Sequence, residues 1–198
     1  EGLQVIDVPS TRAFYLGFNH NREPFEDPFA REGVTLLVER DGPVGALHGY
    51  ATPLTSLVPE QLGGAYAPVW PDEPDVQRAE EILRAAAYSP RGTSRLAFQI
   101  TFSQPTYGDT HVSAAGELVR RSFNASDFVN AGVFAAVEPD TFARALDRAE
   151  GQVILFGWTP IVPDPAAYLV PLAHSRSPIP RNSGYASEDV DALLDRAA

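Results

Sequence analysis

The stretch Gln152–Ser175, QVILFGWTPIVPDPAAYLVPLAHS, runs from an apolar, β-rich segment through a tryptophan into three prolines within six residues, then into an amphipathic segment. It reads as a core strand that delivers Trp158 to a stiff, proline-locked turn. In open α/β sheets ligand sites lie beyond the carboxyl ends of the strands, and Trp158 stands at such an exit. Taken alone, the segment better fits a Trp that caps the core beneath a rigid surface loop.

Upstream, LQVIDV (Leu3–Val8) and AFYLGFN (Ala13–Asn19) are short β-rich runs closed by Pro9 and by the HNREP turn cluster, so both are predicted strands. A helix follows, with Asp27 as its cap and Pro28 in its first turn. Phe29, Val34, Leu37 and Val38 form its apolar face, Gly33 weakens it by about 1 kcal/mol relative to Ala, and RDGP ends it. A shorter helix is expected over Val44–His48. The next segment, Gly49–Asp75, holds too many prolines and glycines for regular structure and is longer than ordinary connections.

From Val76 the helical period returns, with Val76, Ala79, Ile82, Leu83 and Ala86 on one face. A strand over Leu96–Phe102, a helix over His111–Phe123 with Val112, Ala115, Leu118 and Val119 inward, and a strand over Asn130–Val137 come next. PDTFARALDRAEG supplies a helix closed by Gly151, and QVILF a strand. A final helix over Ser187–Arg196 starts on a Ser cap, with Glu188 and Asp189 at its positive end. Strands alternating with helices imply an α/β lobe with βαβ connections.

A chain of 198 residues fits one large domain or lobe with a sizeable core, and its 44% apolar content is ordinary. No run approaches the roughly 20 apolar residues of a membrane helix. The formal charge is −11, from 15 Lys and Arg against 26 Asp and Glu, and the basic residues are scattered, so nucleic acid and anionic membrane surfaces are poor partners. Without cysteine there are neither disulfides nor thiolate metal sites. Methionine is absent as well, and the chain is expected to be a piece of something longer.

Five segments, in order, resemble the second lobe of the large extracellular solute-binding proteins of ABC transporters, the peptide- and oligosaccharide-binding family (family 5 type). YLGFNHNREPFEDPFAREGV resembles its strand and P-F-D-D-x-x-V-R-x-A helix, and VERDGPVGALHGYATPLTSLVP its A-I-D-R-x-x-I-V helix with the following G-x-A-x-P-x-x-S-x-x-P loop. DEPDVQRAEEILRAAAY, GWTPIVPDPAAYLVPLAHS and NSGYASEDVDALLDRAA resemble the D-P-x-x-A-x-x-L-L-x-x-A-G-Y, G-W-x-x-D-x-x-D-P and N-x-x-x-Y-x-x-P-E-V-D-x-L-L-x-x-A segments.

The resemblance implies one lobe of a type II periplasmic-binding-protein-like fold, a mixed sheet flanked by helices, with residues 1–198 forming a single lobe excised from a two-lobed, lipid-anchored, extracytoplasmic parent. It implies a binding module without catalysis or cofactor, which captures a peptide-like, oligosaccharide or other small solute for an ABC importer and its permease. A divergent relative acting as an envelope regulator or protein-interaction module stands as the alternative. The isolated lobe is expected to be a monomer.

The ligand residues implied are Trp158, by stacking, Thr159 and Asp164, with Asn182 and Tyr185 contributing if the last loop folds toward the same cleft. Asn19 is a further contact or a bracket of its own turn. Asp164 equally serves as the cap of the helix that follows it. In peptide-binding members an acidic residue three positions after the Trp anchors the ligand's free amine, and here that position is Ile161. Two further departures, Gly33 where the family has Ala and Ala87 where it has Gly, fall on helix positions assigned to packing.

Other constellations are weak. The four histidines, His20, His48, His111 and His174, show no i, i+4 pairing and no carboxylate at metal-ligand spacing, so no metal is expected. No G-x-S-x-G, Walker or G-x-G-x-x-G pattern occurs, and Asp189 and Asp191 are read as partners of the helix dipole. A hydrolase using Asp164 lacks an activated nucleophile or paired carboxylate, and the NAS sequon at Asn124 is read as incidental.

Overall fold

The computed structural model describes residues 10–46, 51–103, 111–148 and 150–197; the expected strand Leu3–Val8 and His48 lie outside them. In chain order the elements are β1 (Ala13–Phe18), α1 (Pro28–Thr35), α2 (Asp41–Gly45), α3 (Val76–Ala85), β2 (Leu96–Ser103), α4 (His111–Phe123), β3 (Val129–Val137), α5 (Pro139–Asp147), β4 (Val153–Trp158), α6 (Ala166–Ala173), α7 (Pro178–Ser183) and α8 (Glu188–Ala197), with 3-10 turns at Glu60–Ala65 and Gly92–Ser94.

The four strands form one mixed sheet in the order β1-β4-β2-β3. β2 runs parallel to both β3 and β4, as strands joined through helices must, and β1 runs antiparallel to β4 with Ala13 opposite Trp158 and Phe18 opposite Val153. This is the mixed sheet flanked by helices that the sequence led us to expect.

Side-chain alternation on β4 explains its uninterrupted apolar run. Val153 and Leu155 point into a core formed with Phe98, Ile100 and Phe102 of β2 and covered by α1, α3 and α4. Ile154 and Phe156 point the other way, into a second core with Ala13, Tyr15, Val58 and Tyr168. A strand buried on both faces needs apolar residues at every position. β2 is covered on one face over much of its length, and its Ala97 and Gln99 are exposed. In the first core Phe98 is flanked edge-on by Phe25 and Phe123, at centroid distances of 5.0 and 5.4 Å, the arrangement aromatic quadrupoles favour.

Asp27 caps α1 as expected, its carboxylate accepting the Phe29 N–H at 2.9 Å, with Pro28 in the first turn. The buried stripe of α1 is Ala30, Gly33 and Val34, continued by Leu37 in the turn that follows. Phe29 is 53% exposed, off that stripe, so its expected inward role is corrected. Gly33 has a packing reason: a Cβ there would come within 2.8 Å of the Leu83 side chain, so the missing methyl lets α1 approach α3 closely. The second helix begins at Asp41, earlier than Val44, because the Glu39 carboxylate caps the Gly42 N–H at 3.0 Å.

α3 ends differently from the expectation for Ala87. The Ala87 N–H bonds to the Arg84 carbonyl at 3.1 Å and the Tyr88 N–H to the Leu83 carbonyl at 2.9 Å, with Ala87 itself left-handed at φ 67°. That is a Schellman C-cap, in which the left-handed position favours glycine. The departure at Ala87 therefore concerns backbone conformation and not packing.

Candidate functional site

The carboxyl ends of the three parallel strands, Ser103, Val137 and Trp158, share one edge of the sheet. The Trp158 indole is partly exposed, packs into the second core, and donates its N–H to the Ala167 carbonyl at 2.9 Å. Its polar atom is thus consumed within the protein, and the ring offers its surroundings an apolar surface. Thr159 follows, exposed; Ile161 is fully exposed and Val162 is 54% exposed. Asp164 closes the turn: its carboxylate accepts the Ala166 N–H at 2.7 Å and its carbonyl the Ala167 N–H at 3.0 Å. Pro165 already has helical dihedrals, so Asp164 acts as the N-cap of α6, the capping role weighed for it.

The long Pro- and Gly-rich loop is fastened beside this edge. The Tyr15 hydroxyl donates to the Leu57 carbonyl at 2.7 Å, Thr55 and Tyr66 share a hydroxyl hydrogen bond at 2.8 Å, and the Val69 and Trp70 N–H groups both reach the Thr55 carbonyl. Arg40 clamps its two ends through the carbonyls of Leu54 and Pro71, at 3.2 and 2.9 Å. Leu54, Leu57, Leu62 and Ala65 join the same apolar cluster as Trp158. Burial, with Tyr168 as a second contributor, pushes the Tyr15 phenol well above its usual range, so it serves as a fixed hydrogen-bond donor.

Asn19, Asn182 and Tyr185 gather at the opposite end of the sheet. Asn19 is buried where β1 leaves β4; its N–H meets the Gln152 carbonyl at 2.9 Å, its amide nitrogen donates to the Gly151 carbonyl at 3.1 Å, and its side-chain oxygen accepts the Asn21 N–H at 3.0 Å. The Asn182 side chain donates to the Asp147 carbonyl. Tyr185 stacks edge-on against His20, with centroids 5.8 Å apart, and the His20 backbone N–H donates to the Ser183 carbonyl at 2.7 Å. Burial, aided by Arg31, holds the His20 imidazole below its usual value. β4 spans six residues, about 16 Å at strand rise, so the last loop does not fold toward Trp158. The structure brings together Trp158, Thr159 and Asp164, and separately Asn19, Asn182 and Tyr185.

A third cluster escaped the sequence. His174, buried at the end of α6, lies 3.4 Å from Asp191 and 3.3 Å from Asp195 on successive turns of α8. The D-x-x-x-D spacing places both carboxylates on one helix face, but nothing local says that His174 meets them. The Ser175 N–H and hydroxyl bind Asp191 and hold its carboxyl below the usual range. Asn124 is fully engaged, bonding the Arg120 carbonyl and both backbone groups of Ala131, so its amide is occupied by structure. Among the described residues no group of three His, Cys, Asp or Glu side chains is placed to hold a metal ion, and no helix is long and apolar enough to cross a membrane.

Known proteins share this fold. The family profile described as bacterial extracellular solute-binding proteins, family 5 (middle), matches residues 1–178. The glutathione-binding protein GsiB of Shigella flexneri serotype 5b is 28% identical over 212 residues, covering all of this chain and 38% of GsiB. The chain thus spans well under half the length of such relatives. Among solved structures, Haemophilus influenzae OppA in complex with RPPGFSPFR superposes with a TM-score of 0.81 at 18% identity, over 96% of this chain and 37% of OppA. The periplasmic murein tripeptide binding protein MppA, in its unliganded open form, superposes at 0.80 with 19% identity, over 96% and 36%. At these identities the superpositions establish the fold, that of type II periplasmic-binding-protein-like lobes.

Proposed function

The chain belongs to the bacterial extracellular solute-binding proteins of family 5, and from that premise we propose that it forms one wall of a solute-capturing cleft whose recognition surface is the Trp158 edge of the sheet. The observation that carries the reading is the fixed Trp158 ring at the common carboxyl edge of β2, β3 and β4, its N–H already bonded to Ala167. Such a ring recognises a solute by contact and stacking. Thr159 and the exposed backbone of the following turn supply hydrogen bonds, and Asp164 positions that turn by capping α6. Asn19, Asn182 and Tyr185 act structurally at the far end. The parent is read as a two-lobed, lipid-anchored protein that hands its solute to an ABC permease, with residues 1–198 as one lobe.

Ile161 refines the solute class. No carboxylate stands where peptide-binding relatives hold a free amine, and a buried ammonium without a counter-charge costs several kcal/mol. The cleft therefore favours neutral, N-blocked or sugar-like solutes over free-amine peptides. Calorimetric titration of the full-length protein with free peptides, their N-acetylated forms and oligosaccharides tests this. Binding that survives acetylation, or a bound oligosaccharide, is the expected result. Tight binding that requires a free N-terminus overturns it. In the same assay Trp158→Ala is expected to lower affinity by roughly 10- to 100-fold, as losing a buried aromatic contact does, and Trp158→Phe by less. An unchanged affinity in Trp158→Ala removes the stacking role.

A further inference from the structure

His174 is held by more partners than one protonation state can satisfy. Its Nδ1 lies 3.1 Å from the Arg176 backbone nitrogen, which can only donate, and also 3.4 Å from an Asp191 carboxylate oxygen, which can only accept. Its Nε2 lies 3.3 Å from Asp195. In the neutral ring Nδ1 must therefore be the acceptor for Arg176, leaving the ring proton on Nε2 for Asp195. A second proton can only go to Nδ1, where the Arg176 N–H now points; the ring must then release that N–H and turn its new donor to Asp191.

The surroundings favour such a swap. Asp191 and Asp195 face the ring from α8 and Arg176 faces it from the turn between α6 and α7, while Val170, Ser177, Pro178 and Leu194 supply uncharged walls to a shallow pocket. Asp191 is kept ionised by the Ser175 N–H and hydroxyl, so it remains an acceptor when the ring gains its proton.

The geometry points to His174 as a proton-operated clasp that trades its backbone bond to Arg176 for a second carboxylate on α8. Neutral, it stiffens the α6–α7 turn and touches α8 at one point; charged, it grips α8 across one full turn and frees the Arg176 N–H. The trade is local: the hold on α8 is gained on the acid side and lost as pH rises, while the turn behaves in the opposite sense. This device is independent of the solute reading.

Nitrogen-15 NMR of the imidazole and the backbone, followed as pH is lowered until the ring is fully charged, tests it in the 198-residue chain. The neutral ring is expected as the Nε2–H tautomer, and the Arg176 amide resonance is expected to move with the ring's own midpoint. Amide exchange in α8, corrected for its intrinsic pH dependence, is expected to slow by about two- to five-fold across that midpoint, the range a partly exposed charge pair supports. Asp191→Asn, which keeps an acceptor and a donor for Ser175, is expected to abolish most of the slowing. His174→Asn, whose side-chain oxygen can stand in for Nδ1, is expected to hold the Arg176 N–H at every pH. A neutral Nδ1–H tautomer, an Arg176 amide indifferent to the ring, or α8 slowing that persists in Asp191→Asn overturns the proposal. The first two readouts need no variant, so a misfolded mutant does not blunt the test.

Discussion

At Ala87 the backbone adopts the left-handed conformation that L side chains resist, at a cost of about 1–2 kcal/mol, and does so to close the α3 cap. Ala87→Gly removes that strain while adding about 0.5–1 kcal/mol of unfolded-chain entropy. The net expectation is a stabilisation of up to about 1 kcal/mol, read as a higher urea midpoint at unchanged slope. Gly184 has the same kind of backbone, φ 75°, and any Cβ there would fall 2.3 Å from the Asn21 side chain. Gly184→Ala is therefore expected to cost about 2 kcal/mol or more in the same experiment, since it adds a steric clash to the conformational penalty. For Asp191 the sign runs with pH. Its carboxyl is held low chiefly by the Ser175 hydroxyl, so its contribution is complete above the unfolded-state value and lost as pH falls through the lowered folded value. In Ser175→Ala the Asp191 titration, followed by carboxyl carbon-13 shifts, should move up toward the ordinary aspartate range.

Between elements, the α1–α3 contact is the sharpest test of close packing. Gly33→Ala improves helix propensity by about 1 kcal/mol but drives a methyl into buried Leu83, and overpacking costs about 1–3 kcal/mol. A net loss is expected, and the double variant with Leu83→Val should lose less than the sum of the two single changes, as residues in contact do. Elements whose signals are local are legible in the sequence: α4 covers His111–Phe123, where its apolar period predicts a helix, and α3 starts at Val76, where the apolar stripe begins. α7 is not, because two prolines in PIPRNS argue against helix. In a helix of six residues they stand at the first and third positions, where no N–H is required. Trp158 is legible as an exit residue because the α/β rule concerns strand ends. The far-end placement of Asn19, Asn182 and Tyr185 is not, because it depends on β1 pairing antiparallel with β4, which sets Ala13 opposite Trp158, 145 positions later in the sequence.

For the molecule as a whole, two cores share β4, so neither can be dismantled without exposing the other. The 198-residue chain is expected to melt in one cooperative transition, with fluorescence and circular dichroism coincident, and to remain monomeric in sedimentation. Separate transitions for the two cores would show that β4 does not couple them. The strand order β1-β4-β2-β3 also imposes a timetable on biosynthesis. Among the described residues β4 is the strand that β1 bonds to and the one that joins it to β2 and β3, so β1 cannot enter this sheet until β4, far later in the sequence, has left the ribosome. Its apolar residues then stand open to chaperones or to stray strands for the length of that delay. Nascent chains arrested before Val153 should remain sensitive to protease along Ala13–Phe18, and become resistant once Trp158 and the segment that caps it have emerged.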